Sequence, residues 1–99
     1  PKQQYRESEP EELGADVRTI TNTLDLRGKR YEEALEMADS FLYQMVSRGV
    51  MVAFILHGHG TGALKKGIRQ WLPTVSVAKS WRACDDGEGG DAFTKVFLK

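Results

Sequence analysis

The sequence is poor in cysteine and in long apolar runs, and neither sign of charge is in excess. The single Cys84 excludes an internal disulfide and any metal site built from several cysteines, and it fits a reducing compartment. No apolar run approaches the ~20 residues that a membrane span needs, and the polar N-terminus does not resemble a signal peptide. Lys and Arg together number 14, as do Asp and Glu, so the chain as a whole does not attract nucleic acid. We therefore expect a cytoplasmic domain that does not enter a membrane.

The length of 99 residues, with 40% apolar side chains, suffices for one domain with one modest core. Residues 1–19 are polar, acidic and nearly free of apolar side chains, which is typical of a linker or a loosely held leader. Residues 20–99 form the predicted domain. Because the chain begins at Pro1 rather than Met, we expect a piece of a longer protein.

Apolar spacing divides residues 20–99 into six elements. Apolar side chains recur at i, i+3, i+4 and i+7 over residues 31–48, and more briefly over 63–72, which predicts two amphipathic helices. Four strands are predicted at residues 20–26, 50–56, 75–82 and 92–99. Right-handed crossovers make the first three strands parallel, and a hairpin makes the last strand antiparallel to the third. The predicted fold class is α+β, a two-layer α/β sandwich of order β-α-β-α-β-β on a four-stranded mixed sheet.

The segment "HGHGTG", residues 57–62, lies between an apolar strand and a helix. A helix N-terminus presents unpaired backbone N–H groups and positive potential, and glycines let a ligand approach the backbone. The candidate phosphate-binding residues here and in the following helix are Gly58, His59, Gly60, Thr61, Gly62, Lys65, Lys66 and Arg69. The spacing fits neither a Walker A loop nor a Rossmann fingerprint. The alternative is a glycine-rich turn whose histidines and lysines only face solvent.

A second motif, "LDLRG", ends the first predicted strand. Asp25 points to the face of the strand opposite that of its leucine neighbours, and Arg27 follows at the carboxyl end. Ligands collect at the carboxyl ends of parallel strands, so Asp25, Arg27 and His57 are expected to converge on the glycine segment. The alternative for Asp25 is a carboxylate that caps backbone N–H groups or pairs with Arg27.

Charge is unevenly distributed along the chain. No acidic residue occurs between Asp39 and Asp85. The basic residues of that span and of the turn before it are Arg27, Lys29, Arg30, Arg48, Lys65, Lys66, Arg69, Lys79 and Arg82. Such a region favours a polyanionic partner, with Lys29 and Arg30 as further phosphate ligands; the alternative is a solvated helix face.

Two further patterns point away from metal binding. The acidic run at residues 85–91 lacks the spacing of a calcium-binding loop and predicts a solvated hairpin connection. His57 and His59 have no third ligand in view, so we predict no metal site.

The motifs, taken in order, resemble the Smr (small MutS-related) domain. "LDLRG", an amphipathic helix, an apolar strand, "HGHGTGALKKGI" and the closing "GGDAFTKVFL" span about residues 20–99. The residues of these motifs are most similar to those of the C-terminal Smr domain of type-two bacterial MutS proteins, which also occur in chloroplasts. The resemblance implies a β-α-β-α-β-β sandwich similar to the C-terminal domain of translation initiation factor three.

The resemblance also implies an endonuclease that nicks DNA or cleaves RNA without sequence preference. Carried onto this chain, it assigns the active site to Asp25, Arg27 and His57, with Gly58 and Gly60. Cleaving members usually have His where this chain has Arg27, and arginine holds phosphate but does not shuttle protons. Asp25 or His59 would then take the vacant role. The alternative is a module that docks on nucleic acid or the ribosome without cutting.

The implied parent is a homodimeric MutS-type ATPase that acts in recombination and repair control or in ribosome rescue. ATP would bind only in that parent, and no cofactor is expected in this domain, although a divalent cation is left open. The implied compartment is the cytoplasm, or the chloroplast for a plant source.

Overall fold

Two helices and four strands follow one another in the predicted order. The strands are β1 (Thr23–Asp25), β2 (Val52–Leu56), β3 (Ala78–Ala83) and β4 (Phe93–Leu98), and the helices are α1 (Tyr31–Ser47) and α2 (Ala63–Trp71). Short 3-10 turns occupy Leu72–Thr74, Asp86–Glu88 and Gly90–Ala92. The computed structural model describes residues 17–99, so nearly all of the predicted leader lies outside the described residues.

The four strands form one mixed sheet in the order β1-β2-β4-β3. β1 is parallel to β2, and β4 is antiparallel to both of its neighbours, so β1, β2 and β3 share one direction. The α+β fold class and the antiparallel last strand are therefore confirmed. Asp25 pairs with Leu56, and Leu56 pairs with Phe93. The carboxyl ends of β1 and β2 thus lie beside the start of β4.

Both helices pack on one face of this sheet. The buried stripe of α1 consists of Ala34, Ala38, Phe41, Leu42 and Met45. It shares one apolar cluster with Ile68 of α2 and with Ala53, Ile55 and Val96 of the sheet. Each large aliphatic side chain buried here contributes about 1.5–3 kcal/mol. The two-layer sandwich follows from this shared cluster.

The opposite face of the sheet carries a second, smaller cluster. Val52, Phe54 and Cys84 are buried there, and Phe93 and Phe97 pack against them. The guanidinium of Arg18 lies 4.0 Å from the centroid of the Phe93 ring. β2 contributes apolar side chains to both faces, which explains why its sequence is apolar without alternation. Among residues 17–99, no helix is long and apolar enough to cross a membrane.

The predicted start of the first strand was wrong. Residues 20–26 were expected to be extended, but the strand is only Thr23–Asp25, and Ile20 is 94% exposed. The side chain of Asn22 accepts a hydrogen bond from the backbone of Thr19 at 2.7 Å and donates one to the carbonyl of Val17 at 2.9 Å. This local side-chain bonding competes with strand pairing, so β1 begins late.

The third strand also begins later than the predicted range of 75–82, at Ala78. Pro73 places the chain in the 3-10 turn Leu72–Thr74, and Val75 closes it by donating to the carbonyl of Leu72 at 2.9 Å. Val75 is buried against the helices. Val75 is therefore apolar because it packs in the core from a turn. The alternation of apolar residues does not distinguish such a turn from a strand.

Candidate functional site

A pocket of about 380 Å³ opens where the chain leaves β2 and enters α2. His57 forms part of its wall, with the loop residues 59–62 and the first turn of α2 beside it. Gly28 and Lys29, from the turn after β1, line the opposite side. The predicted site residues that line the pocket are Lys29, His57, His59, Gly60, Thr61, Gly62 and Lys65; those that do not are Asp25, Arg27, Arg30, Gly58, Lys66 and Arg69.

The loop backbone depends on glycine at three alternate positions. Gly58, Gly60 and Gly62 have φ of 77°, 43° and 85°, a region that residues with a side chain rarely adopt. The amides of His57 and Gly58 donate to the carbonyl of Ala92 at 3.1 and 3.0 Å, which ties the start of the loop to the segment before β4. The amide of Gly62 donates to the carbonyl of His59 at 2.8 Å. The loop is therefore built by defined hydrogen bonds.

The N-terminus of α2 opens into this pocket. The N-cap residue is Gly62, which offers no side-chain cap, and the hydroxyl of the preceding Thr61 accepts a hydrogen bond from the amide of Ala63 at 3.3 Å. The amides of Leu64 and Lys65 donate to no acceptor within residues 17–99. Unpaired amides and the positive end of the helix dipole favour an anion at this position.

His57 is 5% exposed, and both of its ring nitrogens have protein partners. Nε2 lies 2.7 Å from the hydroxyl of Thr94, and Nδ1 lies 3.0 Å from the carbonyl oxygen of Gly58. Burial lowers the pKa of His57, and the cations of Arg69 and Lys65 lower it further, against opposing effects of the Gly58 carbonyl and Asp91. The neutral imidazole is therefore favoured.

Asp91 joins the site from the acidic loop and pairs with two of the predicted phosphate ligands. It forms an ion pair with Lys65 and another with Arg69, whose Nη1 lies 2.9 Å from its carboxylate. Hydrogen bonds from Lys65 and Arg69 lower the pKa of Asp91 to about 2. The predicted solvated hairpin loop does connect β3 to β4, and Asp91 is 46% exposed; its two ion pairs with α2 were not predicted.

A second carboxylate of the acidic run also has a cationic partner. Glu88 lies 3.4 Å from the ammonium of Lys95, whose side chain is 2% exposed. A charge this deeply buried is costly without a counter-ion, so Glu88 stabilises the buried lysine. The acidic loop is thus partly structural.

Asp25 and Arg27 form a bidentate ion pair. Nε and Nη2 of Arg27 donate to the two carboxylate oxygens at 3.0 and 2.8 Å, and the backbone amide of Arg27 adds a third bond at 3.0 Å. The side-chain hydrogen bonds from Arg27 are the main cause that lowers the pKa of Asp25 to about 2. The structure therefore shows the alternative interpretation of Asp25, a carboxylate that binds a backbone N–H group and pairs with Arg27.

Arg27 nevertheless contacts the glycine loop. A Cβ added at Gly58 would lie 3.2 Å from Cγ of Arg27, so the arginine stem packs on the loop backbone. The guanidinium end is open to solvent, with 62% of the side chain exposed. The "LDLRG" motif and the glycine loop therefore meet, as the strand-end geometry predicts.

Tyr31 is a pocket residue that the sequence reasoning assigned only to the apolar stripe of α1. It lines the pocket and is 44% exposed. A Cβ added at Gly67 of α2 would lie 2.3 Å from Cε1 of its ring. The ring of Tyr31 therefore packs against Gly67, where there is no side chain. The glycine within the predicted second helix was the sequence feature that could have indicated this contact.

The described part of the chain contains no group of three or more His, Cys, Asp or Glu side chains that could hold a metal ion. Both ring nitrogens of His57 are already bonded within the protein.

Comparison with known proteins gives a consistent family assignment. The Smr domain model matches residues 24–99. "Endonuclease MutS2" of Anaeromyxobacter sp. is 47% identical over 80 residues, which cover 81% of this chain and 10% of that protein. "Endonuclease MutS2" of Geobacillus kaustophilus is 45% identical over 80 residues, with the same coverage. The chain thus spans about a tenth of the length of these relatives.

Two crystal structures share the fold. The Smr domain of Thermus thermophilus MutS2 has a TM-score of 0.77 at 37% identity, over 79% of this chain and 98% of that one. YdaL, a stand-alone small MutS-related protein from Escherichia coli, has a TM-score of 0.77 at 22% identity, over 82% and 66% of the two chains. The first likeness accompanies clear sequence similarity, and the second concerns the fold alone.

Proposed function

Because the chain belongs to the Smr domain family, we propose that it binds the phosphate backbone of nucleic acid and cleaves it without sequence preference. The observation that carries this proposal is the pocket at the N-terminus of α2. Unpaired amides of the first helical turn meet there with Lys29, Lys65 and a buried neutral histidine. Positive potential and backbone donors together suit a phosphodiester group, which is large, anionic and rich in acceptors.

The side chains take distinct roles in this proposal. The backbone of residues 60–62 and the dipole of α2 hold one phosphate, and Lys29 and Lys65 neutralise its charge. His57 is the proton-transfer group, because it is the imidazole in the pocket wall. Arg27 binds an adjacent phosphate by exchanging the carboxylate of Asp25 for it. The guanidinium group that holds two carboxylate oxygens can hold two phosphate oxygens in the same way. Asp25 holds Arg27 in place until then.

The names of the relatives support cleavage. Because the relatives are about ten times longer than the matched region, we also make a proposal for the longer parent protein. Both relatives quoted above are named endonucleases. For the parent of this chain we propose a homodimeric MutS-type ATPase of the cytoplasm that uses this domain in recombination and repair control. A role at the ribosome, with RNA as the substrate, is the other task that we propose for this site.

The test is a cleavage assay on the 99-residue chain. Labelled single-stranded RNA and supercoiled plasmid are incubated with and without EDTA, beside His57→Ala and Lys65→Ala. We expect product from the parent chain, loss of product with His57→Ala, and weaker binding with Lys65→Ala. Lys79→Ala removes the same charge from exposed β3, outside the pocket, and is the matched control. Equal activity of His57→Ala and the parent chain would refute the catalytic role.

A second function, docking without cutting, is favoured by one observation. Arg27 is paired with Asp25 through two of its guanidinium nitrogens, and both ring nitrogens of His57 are occupied within the protein. Binding with no product under any condition would establish this function. A salt titration then counts the phosphates, because the slope of log affinity against log salt is about −0.7 per contact for single strands.

A further inference from the structure

The hydroxyl of Thr94 connects Arg69 to His57 through a chain of directed hydrogen bonds. Nε of Arg69 donates to Thr94 Oγ1 at 2.8 Å, and Thr94 Oγ1 lies 2.7 Å from Nε2 of His57. An arginine only donates, so Thr94 accepts from Arg69. The single hydroxyl proton of Thr94 is then available to His57, and within residues 17–99 no other acceptor lies within reach of it.

The second ring nitrogen of His57 gives the same answer independently. Nδ1 lies 3.0 Å from the carbonyl oxygen of Gly58, and a carbonyl only accepts. Nδ1 must therefore carry a proton to bond there, while Nε2 accepts from Thr94. Both neighbours of the ring select one neutral tautomer, with its proton on the loop side and its lone pair facing the sheet.

Arg69 is held strongly enough to dictate this direction. Besides Thr94, it donates from Nη2 to the carbonyl of Phe93 at 3.2 Å and pairs through Nη1 with Asp91 at 2.9 Å. All three guanidinium nitrogens thus have partners, so the Nε donor stays aimed at Thr94. Thr94 itself is 0% exposed and cannot contact a substrate.

We propose that Thr94, oriented by Arg69, is a positioning residue that donates to Nε2 and so holds the ring of His57 as the neutral Nδ1–H tautomer. Because Nε2 is occupied, His57 meets a substrate through Nδ1–H, after a phosphate oxygen replaces the Gly58 carbonyl as its acceptor. The catalytic half of this inference rests on the proposed function; the tautomer itself does not.

The tautomer is read directly by two-bond proton–nitrogen NMR of the histidine rings in the 99-residue chain. We expect the parent chain to show Nδ1–H for His57, and Thr94→Ser to retain it. In Thr94→Val the Gly58 carbonyl still requires Nδ1–H, but the Nε2 signal should move toward that of an unbonded ring nitrogen, because valine has the shape but no hydroxyl. An Nε2–H tautomer in the parent chain, or an unchanged Nε2 signal in Thr94→Val, would overturn the proposal. The parent spectrum decides the first point even if the valine variant fails to fold.

A second variant tests the role of Arg69. Without Arg69 the hydroxyl of Thr94 is less firmly oriented, so in Arg69→Leu we expect the Nδ1–H tautomer to remain and the Nε2 signal to move in the same direction as in Thr94→Val, by a smaller amount. Lys66→Leu removes an exposed cation from the same helix and is expected to leave the Nε2 signal unchanged. An Nε2 signal in Arg69→Leu identical to that of the parent chain would contradict the orienting role of Arg69.

Kinetics separate this inference from the proposed function. If the chain cleaves, Thr94→Val should lower kcat by about tenfold or more with KM nearly unchanged, since it loosens the imidazole but removes no substrate contact. Thr94→Ser should restore kcat. A rise in KM with a fall in kcat in both variants would indicate a merely structural role. If the chain does not cleave, the proposed nuclease activity fails, and the NMR result still decides the tautomer.

Discussion

The guanidinium of Arg27 binds both carboxylate oxygens of Asp25, at 3.0 and 2.8 Å, in a pair whose members are 62% and 51% exposed. An exposed pair of this kind contributes little to stability. Its consequence concerns binding. The carboxylate of Asp25 partly neutralises the positive charge of Arg27 beside the glycine loop until another anion displaces it.

Replacement of Asp25 by Asn should release Arg27. We expect the affinity for single-stranded RNA to rise roughly two- to fivefold, the range that an exposed ion pair spans, with the melting temperature little changed. Asp39→Asn makes the same charge change on the exposed surface of α1 and is the control. If both variants bind RNA equally tightly in a salt titration, the Asp25–Arg27 pair has no special role.

Acid should weaken the pairing of Asp91 with α2. Its pKa is lowered from 3.8 to about 2 in the folded chain, so its contribution to stability is present above 3.8 and is lost as pH falls toward 2. Asp91→Asn should therefore melt at a lower temperature than the parent chain near neutral pH. The difference should vanish at the acid end, where Asp91 is protonated in both states; a difference independent of pH would exclude the ion pairs as its source.

His57 should make stability depend on pH in the neutral range. Burial lowers its pKa below the ordinary value of 6.5, so the folded state favours the neutral ring. The stability is then complete above 6.5 and is lost as pH falls through the lower folded value. Urea unfolding should show this decline in the parent chain and a flatter profile in His57→Gln. His59→Gln, at the exposed histidine, is the matched control, and the same flattening there would contradict the assignment.

A methyl group at Gly67 should displace Tyr31 from the pocket. The added Cβ would lie 2.3 Å from the ring, while alanine in a helix gains about 1 kcal/mol over glycine. Because Tyr31 is half exposed and can rotate, we expect stability within about 1 kcal/mol of the parent chain, and weaker RNA binding.

Two controls accompany Gly67→Ala. Gly87→Ala adds a methyl group in open space and should leave binding unchanged. Tyr31→Ala should weaken binding by itself and make Gly67→Ala nearly silent in the double variant. Additive losses in binding would show that Gly67 acts through something other than Tyr31.

The helices and the strand-end site were predictable because they depend on local pattern. The apolar period of α1 gave its bounds to within a residue, Tyr31–Ser47 against 31–48. The rule that ligands collect at the carboxyl ends of parallel strands brought Arg27 to the glycine loop. β1 began late because the side chain of Asn22 forms hydrogen bonds in a turn, and that competition is invisible in apolar alternation.

Asp91 and Thr94 were missed because they depend on strand order. Nothing in residues 83–99 says that the last strand inserts between β2 and β3, yet that insertion places Ala92 on the amides of His57 and Gly58. It also carries Thr94 to the imidazole and Asp91 to α2. Contacts between residues so distant in sequence follow from topology and leave no local signature.

The central place of β4 also orders the events of folding. β2 pairs with a strand that begins 37 residues after it ends, at Phe93, and closing so long a loop is slow relative to forming either helix. A chain still leaving the ribosome already contains the glycine loop and α2 but lacks the strand that fastens them. Until that segment is made, the amides of His57 and Gly58 lack the Ala92 carbonyl that binds them in the finished domain.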